Sequence, residues 1–157
     1  MASNIFNSPF YGSGDGGTSD AVTISAYIGS AQSIPSNTVT VLNFDTATFD
    51  TDSVLDDTGH KFTPTTAGYY EISLCVTQPD TDATLMLANI KKNDTYVADF
   101  RAPAGTSSEV AAACNAIVYM NGTTDYIQAY AWHNNTSAAN VVTAAQKTHM
   151  EMFYIGA

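Results

Sequence analysis

Tyr70, Ile72, Leu74 and Val76 alternate without a break with Glu71, Ser73, Cys75 and Thr77. A two-residue period sends the first set to one side of a pleated strand and the second to the other, whereas a helix would scatter both sets around its axis. A strand with one apolar face is stable only when neighbours pair with its edges and a second layer covers that face. The segment therefore commits the chain to a layered β architecture.

Short β-rich runs recur along the rest of the sequence. They fall at residues 22–28, 38–44, 60–63, 68–78, 83–91, 96–100, 110–119, 125–133 and 147–155, with turn chemistry between them. This rhythm belongs to a sandwich or barrel. In the run 125–133, Tyr126, Gln128, Tyr130 and Trp132 alternate with Ile127, Ala129, Ala131 and His133, and apolar groups on both sides predict a strand between two packed layers. Residues 110–116 are rich in Ala, but Val, Cys, Ile and Tyr share the run, which reads as strand. Lys92-Asn93-Asp94 and Asn121-Gly122 are turn signals, and the second predicts a hairpin.

A chain of 157 residues is the size of one domain. Charged residues make up only 13% of it, so Thr, Ser, Asn and Gln must cover the surface. Five basic residues stand against 15 acidic ones, a formal charge of −10. That balance excludes nucleic acid as a partner, because Lys and Arg supply most of such binding. No apolar run is long enough for a membrane helix, and the first residues lack the basic and apolar regions of a secretory signal. Cys75 and Cys114 lie inside apolar runs and read as two buried thiols, not a disulfide.

Motifs that would carry chemistry fail on context. Gly12, Gly14 and Gly17 match a dinucleotide-binding spacing, but no strand precedes them and no helix follows. His60, His133 and His149 have no partner at zinc-ligand spacing. No nucleophile elbow occurs, so no enzyme is expected. Asp45, Asp50, Asp52, Asp56 and Asp57 crowd one stretch that reads as a solvated acidic loop; Asp50, Asp52, Asp56 and Asp57 are the candidate ligands should it bind calcium. Asn93-Asp94-Thr95, Asn121-Gly122-Thr123 and Asn134-Asn135-Thr136 match the glycosylation pattern but read as turns. Residues 1–20 are Gly, Ser and Asn punctuated by Ile5, Phe6, Phe10 and Tyr11, the composition of a flexible docking arm ahead of a domain at 21–157.

Several segments, in order, resemble the C1q/TNF-like domain. Thr40-Val41-Leu42-Asn43-Phe44-Asp45 resembles its hydrophobic strand ending in Phe-Asp. Gly59-His60-Lys61-Phe62-Thr63-Pro64 and Gly68-Tyr69-Tyr70-Glu71-Ile72 are similar to its turn and following strand. Residues 87–94, 116–127 and the closing Met150-Glu151-Met152-Phe153-Tyr154-Ile155-Gly156 continue the likeness, with Asp94 in place of a glycine. The resemblance implies a jelly roll of about ten antiparallel strands that forms a homotrimer with aromatic and aliphatic surfaces buried around the three-fold axis.

Aromatic residues are 11% of the chain, and Tyr and Trp dominate buried interface cores. Tyr69, Tyr126, Tyr130, Trp132, Phe153 and Tyr154 are the candidates for the trimer interface. The layout is similar to C1q-like modules on bacteriophage and other viral particles, and the particle expected here is a phage. The expectation is thus a virion structural protein, a homotrimeric knob fixed by its arm to the major capsid protein or another virion protein. Decoration of a capsid is preferred to a tail appendage. The alternatives are a receptor- or glycan-binding head using loops 102–109 and 133–144, and a secreted C1q-like recognition protein.

Overall fold

The computed structural model describes residues 22–79, 85–103 and 109–157. The expected arm, with Ile5, Phe6, Phe10 and Tyr11, lies outside the described residues, as do Gly12, Gly14 and Gly17. Every regular element among the described residues is a strand: β1 (Thr23–Tyr27), β2 (Ser33–Ile34), β3 (Thr40–Val41), β4 (Thr46–Asp50), β5 (Leu55–Asp56), β6 (Lys61–Phe62), β7 (Gly68–Pro79), β8 (Leu85–Lys92), β9 (Thr95–Pro103), β10 (Glu109–Met120), β11 (Ile127–His133), β12 (Ala139–Asn140) and β13 (His149–Gly156).

These strands form an antiparallel jelly-roll sandwich. The first sheet has the order β10-β7-β13-β1-β4, the second runs β5-β6-β11-β8-β9 with β3 also pairing β11, and β12 pairs β2 alone. The alternation at 68–79 does what its period predicts. Tyr70, Ile72, Leu74 and Val76 point inward from β7 and are fully buried, while Tyr69 and Glu71 point out. Met86, Ala88 and Ile90 of β8 and Ile127, Ala129 and Ala131 of β11 line the opposing inner face. Phe44 packs edge-on against Phe62 at 5.7 Å between ring centres. Burial of each such large side chain is worth about 1.5–3 kcal/mol.

The structure differs from the sequence expectations at four places. First, Asn121-Gly122 is no hairpin. β10 pairs β7 whereas β11 pairs β8, so the turn carries the chain from one sheet to the other. Asn121 Oδ1 accepts from the amides of Thr123, Thr124 and Asp125 at 2.9, 2.9 and 3.0 Å, and this side-chain cap replaces the hairpin's backbone bonds. Second, β11 is covered on one side only. Its outward row of Gln128, Tyr130 and Trp132 is half-buried by neighbouring side chains instead of a further layer.

Third, most of the run 38–44 is irregular. The Gln32 side chain donates to Val41 O at 2.6 Å and accepts from Asn43 N at 2.8 Å, standing in for a neighbouring strand's backbone. Fourth, β4 lies within the stretch read as acidic loop. It is the edge of its sheet and none of its residues is buried, so no alternation marks it.

The predicted turn at Asn93-Asp94 is present, with both residues at positive φ, 47° and 65°. That is the two-residue hairpin conformation which Asn and Asp tolerate.

Candidate interaction surface

The outward face of the first sheet, at its β10-β7 end, is unusually apolar. Tyr119 and Tyr69 are direct cross-strand partners, their rings meeting edge to face at 5.3 Å, and each is 47% exposed. Two residues earlier on β10, Ile117 is 67% exposed. It sits opposite Glu71, which in turn faces the half-buried Phe153 of β13. Ile155 follows at a break in the β13 register and is also exposed.

The rim of this area is β9, which ends the second sheet and runs alongside β10. Phe100 stands opposite Ala88, whose carbonyl accepts the Cys114 thiol hydrogen at 3.6 Å, and it too is largely exposed. Contiguous exposed apolar side chains on a sheet face mark a contact surface, since water is their least favourable neighbour.

The six aromatic residues expected at an interface are divided among three places. Tyr69 and Phe153 belong to this face. Tyr154 turns inward and packs edge-on against the buried Tyr70 at 5.3 Å. Tyr126, Tyr130 and Trp132 lie on the outward side of the second sheet, across the sandwich. There Lys61 Nζ rests 4.0 Å from the centre of the Tyr126 ring, and Lys91 Nζ 4.0 Å from that of Tyr130. The sequence reading missed Ile117, Tyr119, Ile155 and Phe100. The regular burial alternation of β10 would have found Ile117 and Tyr119, which fall in its outward set with the small Ala111 and Ala113.

The acidic stretch directs its oxygens at its own backbone. Asp50 accepts from the amides of Val54 and Leu55 at 2.8 and 3.0 Å, and Asp56 from those of Thr58 and Gly59 at 3.1 and 2.9 Å. Thr65 donates its hydroxyl to Asp52, and Thr58 to Asp57. Burial pushes the Asp45 carboxyl up, but hydrogen bonds from Gly29, Ser30 and Thr46 outweigh it and hold the group below the usual carboxylate range. Among the described residues, no three His, Cys, Asp or Glu side chains are grouped so as to hold a metal ion.

Cys75 and Cys114 are unbridged and face opposite sides of their sheet, since Cys75 pairs with Ala113 and Cys114 with Leu74. Burial, with Asp99 nearby, pushes the Cys114 thiol up to about 11, and burial likewise raises that of Cys75. Both are protonated at neutral pH, the inert form of a thiol.

No known protein family matches the chain by sequence profile, and no functionally curated protein is similar to it in sequence. Its fold, by contrast, is shared with solved structures. Murine APRIL superposes with a TM-score of 0.69 at 11% identity, covering 86% of this chain and 99% of that one. The Eiger TNF of S. frugiperda gives 0.63 at 9%, covering 87% and 93%. The globular domain of zebrafish complement 1qA gives 0.60 at 9%, covering 85% and 97%. The domain therefore has the C1q/TNF-like jelly-roll fold.

Proposed function

We propose that the protein is a homotrimeric knob in which three jelly rolls bury the outward face of the β10-β7-β13 sheet against one another. The single observation that carries this reading is the exposed row of Tyr69, Tyr119, Ile117 and Ile155 on a face that has no covering layer among the described residues. The C1q/TNF-like fold supports it. The edge residue Phe100 gives each copy an apolar rim to set against its neighbour.

The knob is a structural component of a virus particle, with residues 1–20 fastening it to the major capsid protein or another virion protein; capsid decoration is preferred to a tail appendage. Three arms acting together gain affinity through effective concentration. The charge of −10 and the polar, lysine-poor surface suit a particle exterior and oppose binding to the packaged nucleic acid.

The test is native mass by light scattering after size exclusion, for the full chain and for a form lacking residues 1–20. Both should be trimers, and only the full chain should co-sediment with particles. A stable monomer at micromolar concentration would sink the knob; a trimer that ignores particles would sink the virion role alone.

A further inference from the structure

We infer that the open side of the second sheet carries a binding site for an uncharged, hydroxyl-rich saccharide, built around Trp132, Asn89, Asp99 and Arg101. The site lies across the sandwich from the proposed trimer surface and does not depend on it.

Strand register assembles the site. Trp132, Leu87 and Arg101 form one row across β11, β8 and β9, and Tyr130, Asn89 and Asp99 form the next. Two adjoining hollows of about 220 and 490 Å³ lie over these rows and share Val39, Leu87 and Arg101 as walls. The first is bounded by Trp132 and aliphatic side chains, the second by Asn89, Tyr96 and Asp99. An aromatic and aliphatic wall beside a short row of polar groups is the usual make-up of a small-ligand site.

The polar groups lack protein partners in a pattern that specifies the ligand. Asn89 is 2% exposed, yet its Oδ1 has no hydrogen-bond partner among the described residues. A buried acceptor left unpaired costs free energy that an apolar residue of similar size would avoid, and Asn89 lines the second hollow, where a flip of its amide exchanges Oδ1 with Nδ2 and turns the acceptor to a ligand's donor.

Three of the five basic side chains are committed elsewhere: Lys61 covers the Tyr126 ring, Lys92 pairs with Asp125, and Lys147 pairs with Glu109. Lys91 is the fourth and stands at the edge of the groove, its ammonium 4.5 Å from the centre of the Tyr96 ring and 4.0 Å from that of Tyr130. Arg101 is the fifth, and among the described residues neither it nor Asp99 makes an ion pair.

The groove thus offers donors on Arg101 and acceptors on Asp99 and Asn89 within two neighbouring rows. An anion would be opposed by Asp99, and a cation by Arg101 and by the Lys91 ammonium at the groove's edge. Adjacent hydroxyls both give and accept hydrogen bonds, and the C–H face of a sugar ring packs on an indole, so a neutral saccharide satisfies every group at once.

Trp132 is the only tryptophan in the chain, so its fluorescence reports this groove directly. The experiment titrates the full-length protein with maltohexaose, xylohexaose and mannohexaose, and with sialyllactose as the acidic comparison. At least one neutral sugar should give a saturable change with a Kd on the order of 1 mM, the strength expected of a shallow, open site. Asp99→Ala, a surface change that spares the fold, and Asn89→Leu should each weaken it at least about tenfold. Asn89→Leu should leave the melting temperature unchanged or raised, because it removes an unpaired buried polar atom. Absence of saturation with all three neutral sugars, saturation by sialyllactose alone, or binding indifferent to Asp99→Ala would overturn the site.

Discussion

Replacing Ile117 tests the proposed knob at its most exposed apolar position. In the isolated chain the residue is 67% exposed. Burying a whole isoleucine side chain contributes about 1.5–3 kcal/mol, so covering the exposed part is worth roughly 1–2 kcal/mol per copy. A trimer contains the residue three times. Ile117→Ala should therefore remove about 3–6 kcal/mol of assembly free energy, a factor of roughly 10² to 10⁴ in the association constant. Because the midpoint concentration of a monomer–trimer equilibrium varies as the inverse square root of that constant, dissociation should begin at roughly 10- to 100-fold higher protein concentration. Ile117→Asp adds the desolvation of a carboxylate, several kcal/mol per copy, and should yield a monomer at any working concentration. The assay is light scattering over a dilution series, with far-UV circular dichroism to confirm that the fold persists. A trimer of Ile117→Asp with an unchanged midpoint would refute this choice of surface.

Asp125 is 8% exposed and accepts from Asn93 Nδ2 at 2.7 Å, Asn121 N at 2.9 Å and the Lys92 ammonium at 2.7 Å, so Asp125→Ala should cost about 3–5 kcal/mol in urea unfolding. Burial raises its pKa, but these bonds and the Lys92 charge more than offset that and lower it. The carboxylate's contribution is therefore present above the ordinary 3.8 and lost as pH falls through the lower folded value, which the acid-unfolding curve of the same variant should show. Tyr70 donates its hydroxyl to Thr66 O at 2.9 Å, and burial, then Tyr154 and Asp52, push its pKa up to about 12. The neutral phenol is favoured in the fold, so its contribution should be full below pH 10 and be lost between there and about 12, making the alkaline decline shallower in Tyr70→Phe, which keeps the raised thiols of Cys75 and Cys114. Gly122 has φ of 71°, and a Cβ there would meet Ala67 N at 2.6 Å, so Gly122→Ala should destabilise by at least about 2 kcal/mol in thermal melts.

What the sequence made legible followed from burial. β7 and β10 are regular strands with one inward face, and the alternation of Ile72, Leu74 and Val76 shows it directly. Leu42 and Phe44 are equally buried, yet only Thr40–Val41 is regular strand: β11 pairs one edge of this chain, with Leu42 N donating to Ala129 O at 2.8 Å, and the Gln32 side chain holds the other, contacts from 9 and 11 residues away that no periodic pattern announces. β4 was hidden because an edge strand with no buried residue leaves no signature. The aromatic residues divide between the two sheets in a way the sequence does not mark. Tyr126, Tyr130 and Trp132 are as bulky as Tyr69 and Phe153, and composition cannot tell which of two sheets a side chain leaves. The groove needed cross-strand register, which sets Asn89 beside Asp99 and Leu87 beside Arg101 although the members of each pair are well separated along the chain.

The pairing of β1 with β13 has a further consequence for biosynthesis. β7 takes β10 on one edge and β13 on the other, and β1 reaches its own sheet through β13. While the chain leaves the ribosome, β1 and β4 can form no more than an isolated ribbon, and one edge of β7 stays open until residues 149–156 emerge. Completion of the first sheet, and any contact between copies through it, must wait until β13 has left the ribosome. Premature termination within β13 should leave a chain with an open, apolar strand edge, a substrate for chaperones and proteases.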